Sequence, residues 1–206
     1  MAGPPEKVQN ATLNYPSVFT YFSMISPFLV VLLFVFISII NSNIKGFIYL
    51  LGIFILFFIV LLFQNVIRPD LQIGVSPYCQ VFDFPMPMRS VPSFNSAIFL
   101  FTIIYLFLPM LMNDIMNLPL LILLFILYAV DCVIKSSNKC TTPVGIILGS
   151  FLGLVWGLMW YFLIQNQNPE LLYYDDLISN KIACSRPSQQ QFKCSVYKNG
   201  ELLKTL

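Results

Sequence analysis

Arg68, Ser93 and Lys135 carry groups of the kind that hold a phosphate, as do the other lysines and arginines of the chain. A guanidinium grips phosphate oxygens with two parallel hydrogen bonds, an ammonium supplies a point charge, and a serine hydroxyl at a helix start adds to the free N–H groups there. Each residue also has a plainer use. Arg68 fits the end of a membrane helix, with its side chain reaching for the headgroups. Lys135 stands four residues after Asp131, the spacing of a helical ion pair. Ser93 fits a helix cap. Missing from the chain is a group to carry a phosphoryl. The 206 residues contain no histidine, which removes the commonest general base and the commonest metal ligand. An asparagine cannot protonate a leaving alkoxide, and a threonine without a neighbouring base is a poor nucleophile. Cys140 follows Lys139, whose charge favours a thiolate, but Ile146 stands six residues on, where a cysteine phosphatase loop needs an arginine. No catalytic residue, cofactor or metal site is expected.

These side chains must be positioned by elements that live in lipid. Hydrophobic residues make up 58% of the chain and charged ones 10%, against about 25% charged in an ordinary soluble domain. The net charge of +2, without any run of like charges, excludes nucleic acid as a partner. A helix needs about 20 mostly apolar residues to cross the hydrocarbon core. Five segments meet that requirement, at 18–40, 46–66, 96–112, 118–134 and 144–164. The expected fold is therefore an all-α membrane protein, a bundle of about five transmembrane helices over residues 18–164. Pro27 should kink the first helix, with Ser23 and Ser26 satisfying part of the freed backbone. The apolar stretch of that first segment is too long for a cleaved signal peptide.

The connections differ in kind. "NSNIKG" and "NDIMN" are short enough to make antiparallel hairpins of the helices they join. Residues 67–95 contain Pro69, Pro77, Pro85, Pro87 and Pro92, too many for a spanning helix, and read as a cap over one end of the bundle. Residues 1–17 form a polar N-terminal segment. Residues 165–206 turn polar and leave the membrane. There Asn199-Gly200 favours a type I′ turn, so a small C-terminal β-hairpin or meander is expected. Cys184 and Cys194 flank a short loop in this tail, where a disulfide in an oxidising compartment would contribute ~2–3 kcal/mol.

Gly145, Gly149, Gly153 and Gly157 recur every four residues and so line one face of the last helix, where another backbone can approach closely. That face serves either packing inside the bundle or a subunit interface, so the partners expected are the phospholipid bilayer and other membrane proteins or a second copy. Lys7, Arg68, Arg89, Lys135 and Lys139 fall on the side of the N-terminus, which the positive-inside rule makes cytoplasmic, leaving the cysteine tail lumenal or exterior. The sequence Asn10-Ala-Thr12 is a glycosylation acceptor only if that side is instead lumenal.

Taken in order, Arg68-Pro69, Pro92-Ser93-Phe94-Asn95 and the stretch from Lys135 to Gly145 resemble the type 2 phosphatidic acid phosphatases. These are membrane enzymes that remove phosphate from lipids through a phosphohistidine. The resemblance runs from about residue 55 to 157. It implies that Arg68, Ser93 and Lys135 occupy phosphate-binding positions, and that Asn95, Thr141 and Gly145 replace the two catalytic histidines and the acid that orients the nucleophile. Leu61 stands where the family has a lysine, and the chain shows five spans where the family usually has six. The resemblance therefore implies a catalytically silent phosphatase-like bundle acting as a scaffold, with a residual anionic-headgroup site. An active lipid phosphatase and a small channel or transporter are the alternatives. The overall make-up also resembles membrane proteins of large DNA viruses, which implies an endoplasmic-reticulum-derived or virion membrane.

Overall fold

The computed structural model describes residues 15–67, 91–174, 195–198 and 201–205. The first compact unit lies within residues 1–175. Its helices are α1 (Tyr15–Ile40), α2 (Lys45–Ile67), α3 (Phe94–Met112), α4 (Leu118–Ser137) and α5 (Pro143–Gln167), followed by a single 3-10 turn at Pro169–Leu171. All five helices are long and apolar enough to cross a membrane, so the chain fits a multi-pass integral membrane protein. Their ends fall within three residues of those read from hydropathy. The cap residues explain most of the remainder. Asn117 Oδ1 accepts from Leu120 N at 3.3 Å and Thr142 Oγ1 accepts from Gly145 N at 3.0 Å, each just ahead of a proline in the first turn.

Three helices end in the same way. Ser42, Asp114 and Lys139 have φ of 50°, 53° and 55°, and the next residue closes back on its helix: Asn43 N to Ser38 O, Ile115 N to Met110 O, and Cys140 N to Lys135 O, at 2.9–3.0 Å. This closure satisfies a buried carbonyl and reverses the chain within a few residues. Pro27 lies inside α1 as expected. The Ser23 carbonyl, four residues before it, has lost its helical donor and instead accepts from Ser26 Oγ at 2.9 Å.

Helix α3 is the axis of the bundle and packs against all four others, while α1 also contacts α2 and α4, and α2 contacts α5. Ala97, Phe99, Phe101, Thr102, Tyr105 and Leu106 of α3 are fully buried. The other helices present broad apolar faces outward, among them Phe36, Phe54, Phe125 and Phe151, which suits contact with lipid tails. The closest approach is α5 on α3. A Cβ at Gly149 would strike the Ser93 carbonyl, one at Gly153 the Ala97 carbonyl, and one at Gly157 would sit 3.2 Å from Ile104 Cβ.

On the opposite end from the α4–α5 turn, Phe101 and Tyr105 stack on each other, Tyr49 packs against both, and its hydroxyl shares a 2.7 Å hydrogen bond with Thr102 Oγ1. The segment after α5 folds over this aromatic layer. Lys45 Nζ donates to Leu172 O at 2.7 Å and Tyr173 OH donates to Phe34 O at 3.1 Å. The second unit spans residues 176–206, with Ser195–Lys198 and Glu201–Thr205 as short extended segments.

Candidate functional site

On α4 the inward residues are Leu121, Leu124, Tyr128, Asp131 and Lys135, spaced three and four apart, so one helix face carries apolar groups at one end and charged ones at the other. Asp131 is fully buried and Lys135 nearly so, at 0% and 4% exposure. Their ion pair spans 3.0 Å, from Lys135 Nζ to Asp131 Oδ2. From α1, Ser23 Oγ donates to Asp131 Oδ1 at 2.7 Å. Six residues separate Asp131 from the end of α4, or about 9 Å of helix. A single charge near the bilayer centre costs about 2.5–3.5 kcal/mol on insertion scales, and pairing with an opposite charge is how buried charges are tolerated.

The cluster extends across the bundle through small polar side chains. Cys132, a free thiol, lies within hydrogen-bonding reach of Ser96 and Tyr128. Ser96 Oγ donates to Ser93 Oγ at 3.0 Å, and Tyr128 OH shares a 2.6 Å hydrogen bond with Ser150 Oγ of α5. Asn95 Nδ2 donates to Met24 O of α1 at 3.3 Å, and Asn138 Nδ2 to Thr20 Oγ1 at 3.0 Å. Thus α4 is fastened to α1 and α5 by side-chain hydrogen bonds.

The residues singled out in the sequence fall as follows. Ser93 accepts from Ser96 Oγ at the start of α3, while Lys135 is paired with Asp131 on α4. Ser93 stands at the N-cap of α3, but its hydroxyl makes no capping bond. Its backbone N–H instead donates to Gly145 O at 2.9 Å, which ties the start of α3 to the start of α5. Asn95 is a helix-contact residue. Thr141 is buried in the α4–α5 turn. Arg68, Cys184 and Cys194 lie outside the described residues. Among the described residues no three histidine, cysteine or acidic side chains gather as a metal site requires. Comparison with protein-family models, with curated proteins and with solved structures found no match. The site therefore has to be interpreted from its own chemistry.

That chemistry is closed on itself. Asp131 neutralises Lys135, so the ammonium is no longer an uncompensated point charge for a phosphate. Two contacts were not foreseen from the sequence. One is Ser23 on Asp131. The other is Gln64 Nε2, which donates to Pro92 O at 2.9 Å and holds the end of α2 to the entry of α3. The inward stripe of α4 was the available signal for the first; the second has no signature in the sequence.

Proposed function

We propose that this chain is a structural integral membrane protein: a catalytically silent, phosphatase-like bundle that works by packing within a membrane and with other membrane proteins. The observation that carries this reading is the Asp131–Lys135 contact at 3.0 Å. At the position where a lipid phosphatase needs a free cation for its substrate, this chain supplies a cation already paired. The absence of histidine anywhere in the sequence supports it further, because no imidazole is present to take a phosphoryl and pass it to water. The tail beyond residue 175 is read as a small extramembrane hairpin, with the Cys184–Cys194 bridge and a lumenal or exterior location belonging to the same proposal.

The test is direct. Purified full-length protein in nanodiscs containing phosphatidic acid should release no inorganic phosphate above protein-free discs. Turnover abolished by Thr141→Ala would overturn the reading. One observation favours a second reading, a transport function: Asp131 is an ionisable group fully buried in a membrane helix, and such groups commonly mark transport paths.

A further inference from the structure

We infer that the bundle end carrying the α4–α5 turn faces an oxidising compartment, and that Cys140 in that turn is bridged there to Cys79. The scaffold reading holds for either orientation. What changes is the side: the cystine replaces the orientation drawn from the positive charges, and with it the lumenal tail. Cys140 carries a disulfide bond. It sits at a closed point of the chain, where its N–H donates to Lys135 O at 2.9 Å, Lys139 before it has φ of 55°, and the residue itself is buried. Disulfides persist in oxidising compartments and are rare in the cytosol. The bond therefore fixes the side of the membrane that this turn faces.

Chain connectivity selects the partner. Cys132 is a free thiol, and Cys79, Cys184 and Cys194 lie outside the described residues. Three hydrogen bonds gather one end of each helix around the α4–α5 turn. Asn138 Nδ2 to Thr20 Oγ1 at 3.0 Å brings in the start of α1, Gln64 Nε2 to Pro92 O at 2.9 Å the end of α2, and Ser93 N to Gly145 O at 2.9 Å the start of α3. Cys79 falls in the connection between α2 and α3, twelve residues from Ile67 and twelve from Val91, and twelve extended residues reach about 40 Å. Cys184 and Cys194 follow α5, and the chain leaving α5 is held at the other end, by Lys45 on Leu172 O and by Tyr173 on Phe34 O. The 25 residues of α5 rise about 37 Å. Ten residues separate Tyr174 from Cys184, at most about 36 Å of chain. The stretch to Cys194 is longer, but it would recross the hydrocarbon as a polar thread with its backbone groups unsatisfied.

The positive charges do not oppose this orientation. Lys135 lies inside α4, paired with Asp131 at 3.0 Å, so it is not a loop charge. Lys7, Arg68, Arg89 and Lys139 remain on this side, against Lys45, Lys181 and Arg186 within about 20 residues of the helix ends on the other. So even a division sets no orientation. When the bridge forms, the thiols of Cys79 and Cys140 give up two protons and two electrons, one S–S bond forms, and a disulfide oxidant of the compartment is reduced to its dithiol. Cys184 and Cys194 then belong to the reducing side, where they stay thiols, so this orientation excludes a bridge between them.

The test maps the thiols of full-length wild-type protein. Microsomes from expressing cells, sealed with the cytosolic face outward, are prepared in N-ethylmaleimide, denatured in more of it, digested without reduction and analysed by mass spectrometry. One pair of peptides should be joined through Cys79 and Cys140 and separate on reduction, while Cys184 and Cys194 carry N-ethylmaleimide. Orientation is read separately. An N-terminal epitope should resist protease in the sealed microsomes and be lost once detergent opens them, and Ile44→Cys, exposed in the turn between α1 and α2 at the other end, should react with a membrane-impermeant maleimide from outside. N-ethylmaleimide on Cys140, or any bridge that includes Cys184 or Cys194, overturns the pairing. An epitope digested in sealed microsomes, or Ile44→Cys labelled only after detergent, overturns the orientation. The phosphate-release assay reads the scaffold proposal independently of both.

Discussion

Adding a single methyl group at Gly149, Gly153 or Gly157 should produce three different results, because the glycine face meets three different obstacles. At Gly153 the new Cβ runs into the Ala97 carbonyl, and at Gly149 into the Ser93 carbonyl. Both obstacles are helix backbone, which cannot rotate aside, so α5 must back away from α3. Overpacking of this kind costs about 1–3 kcal/mol. Gly149→Ala should sit at the upper end, since separating the helices there also breaks the 2.9 Å bond from Ser93 N to Gly145 O, worth about 1 kcal/mol. At Gly157 the contacts are looser, Ile104 Cβ at 3.2 Å and the Phe101 carbonyl at 3.3 Å, so a few tenths of an ångström of movement is enough. There the gain of about 1 kcal/mol in helix propensity from Gly to Ala offsets the crowding. The expected order of destabilisation is Gly149→Ala, then Gly153→Ala, with Gly157→Ala close to neutral. Unfolding in detergent, followed by the fluorescence of Trp156 and Trp160 on α5, measures it. Equal effects at Gly149 and Gly157, or no effect at any of the three, would refute the argument that these glycines serve the α3–α5 contact.

Lys139→Gly should stabilise the α4–α5 turn by about 1 kcal/mol, because Lys139 holds φ of 55° where glycine bears no Cβ penalty; the same detergent unfolding assay reads it. Ser26→Ala should cost about 1–3 kcal/mol by stranding the Ser23 carbonyl, and the loss should vanish in a Pro27→Ala background, where the backbone N–H returns. Burial pushes the Tyr173 hydroxyl up to about 12, with the Ser38 hydroxyl pulling the other way. Its neutral form is thus favoured in the fold: the contribution is complete below pH about 10, where a free tyrosine titrates, and is lost as pH rises through about 12. Thermal stability should fall over that window in wild type and fall less in Tyr173→Phe. Tyr49→Phe and Thr102→Val should each destabilise by about 0.6–1.7 kcal/mol and be less than additive, since they share one 2.7 Å hydrogen bond.

Helix existence was legible in the sequence because apolar runs of membrane length have few other uses. Helix orientation was not. In water the polar face of a helix identifies its outside, but α1, α2 and α5 are apolar on the lipid side and the protein side alike, so the residues that face α3 carry no contrast with those that face lipid. The exceptions were residues with a geometric or polar job. The four-residue glycine repeat pointed to a close helix contact, and the three-and-four spacing of Leu121, Leu124, Tyr128, Asp131 and Lys135 marks the inner face of α4. Pro27 with Ser23 and Ser26 was readable because a proline frees a known carbonyl. By contrast, nothing local distinguishes Gln64, whose partner lies 28 residues on, or Lys45, whose partner is a carbonyl 127 residues on. Such long-range bonds to backbone have no residue-type signature at the accepting end.

The distribution of polar side chains also limits what the buried Asp131–Lys135 pair can do. On α1 residues 27–37 are apolar throughout, on α4 residues 118–127, and on α3 residues 97–101. The polar cluster around Asp131 ends at Tyr128 and Ser150, and the next polar groups are Tyr49 and Thr102 on the far side of that layer. From Ser96 to Thr102 is six residues of α3, about 9 Å, well beyond the reach of a hydrogen bond. Among the described residues no chain of hydrogen bonds therefore leads from the Asp131–Lys135 pair across this layer, which argues against a conducting path through the bundle. Reconstituted into liposomes with a pH gradient across the membrane, the protein should leave the gradient intact. Collapse of the gradient, reversed by Asp131→Asn, would show that the apolar layer is crossed and that the transport reading is the correct one.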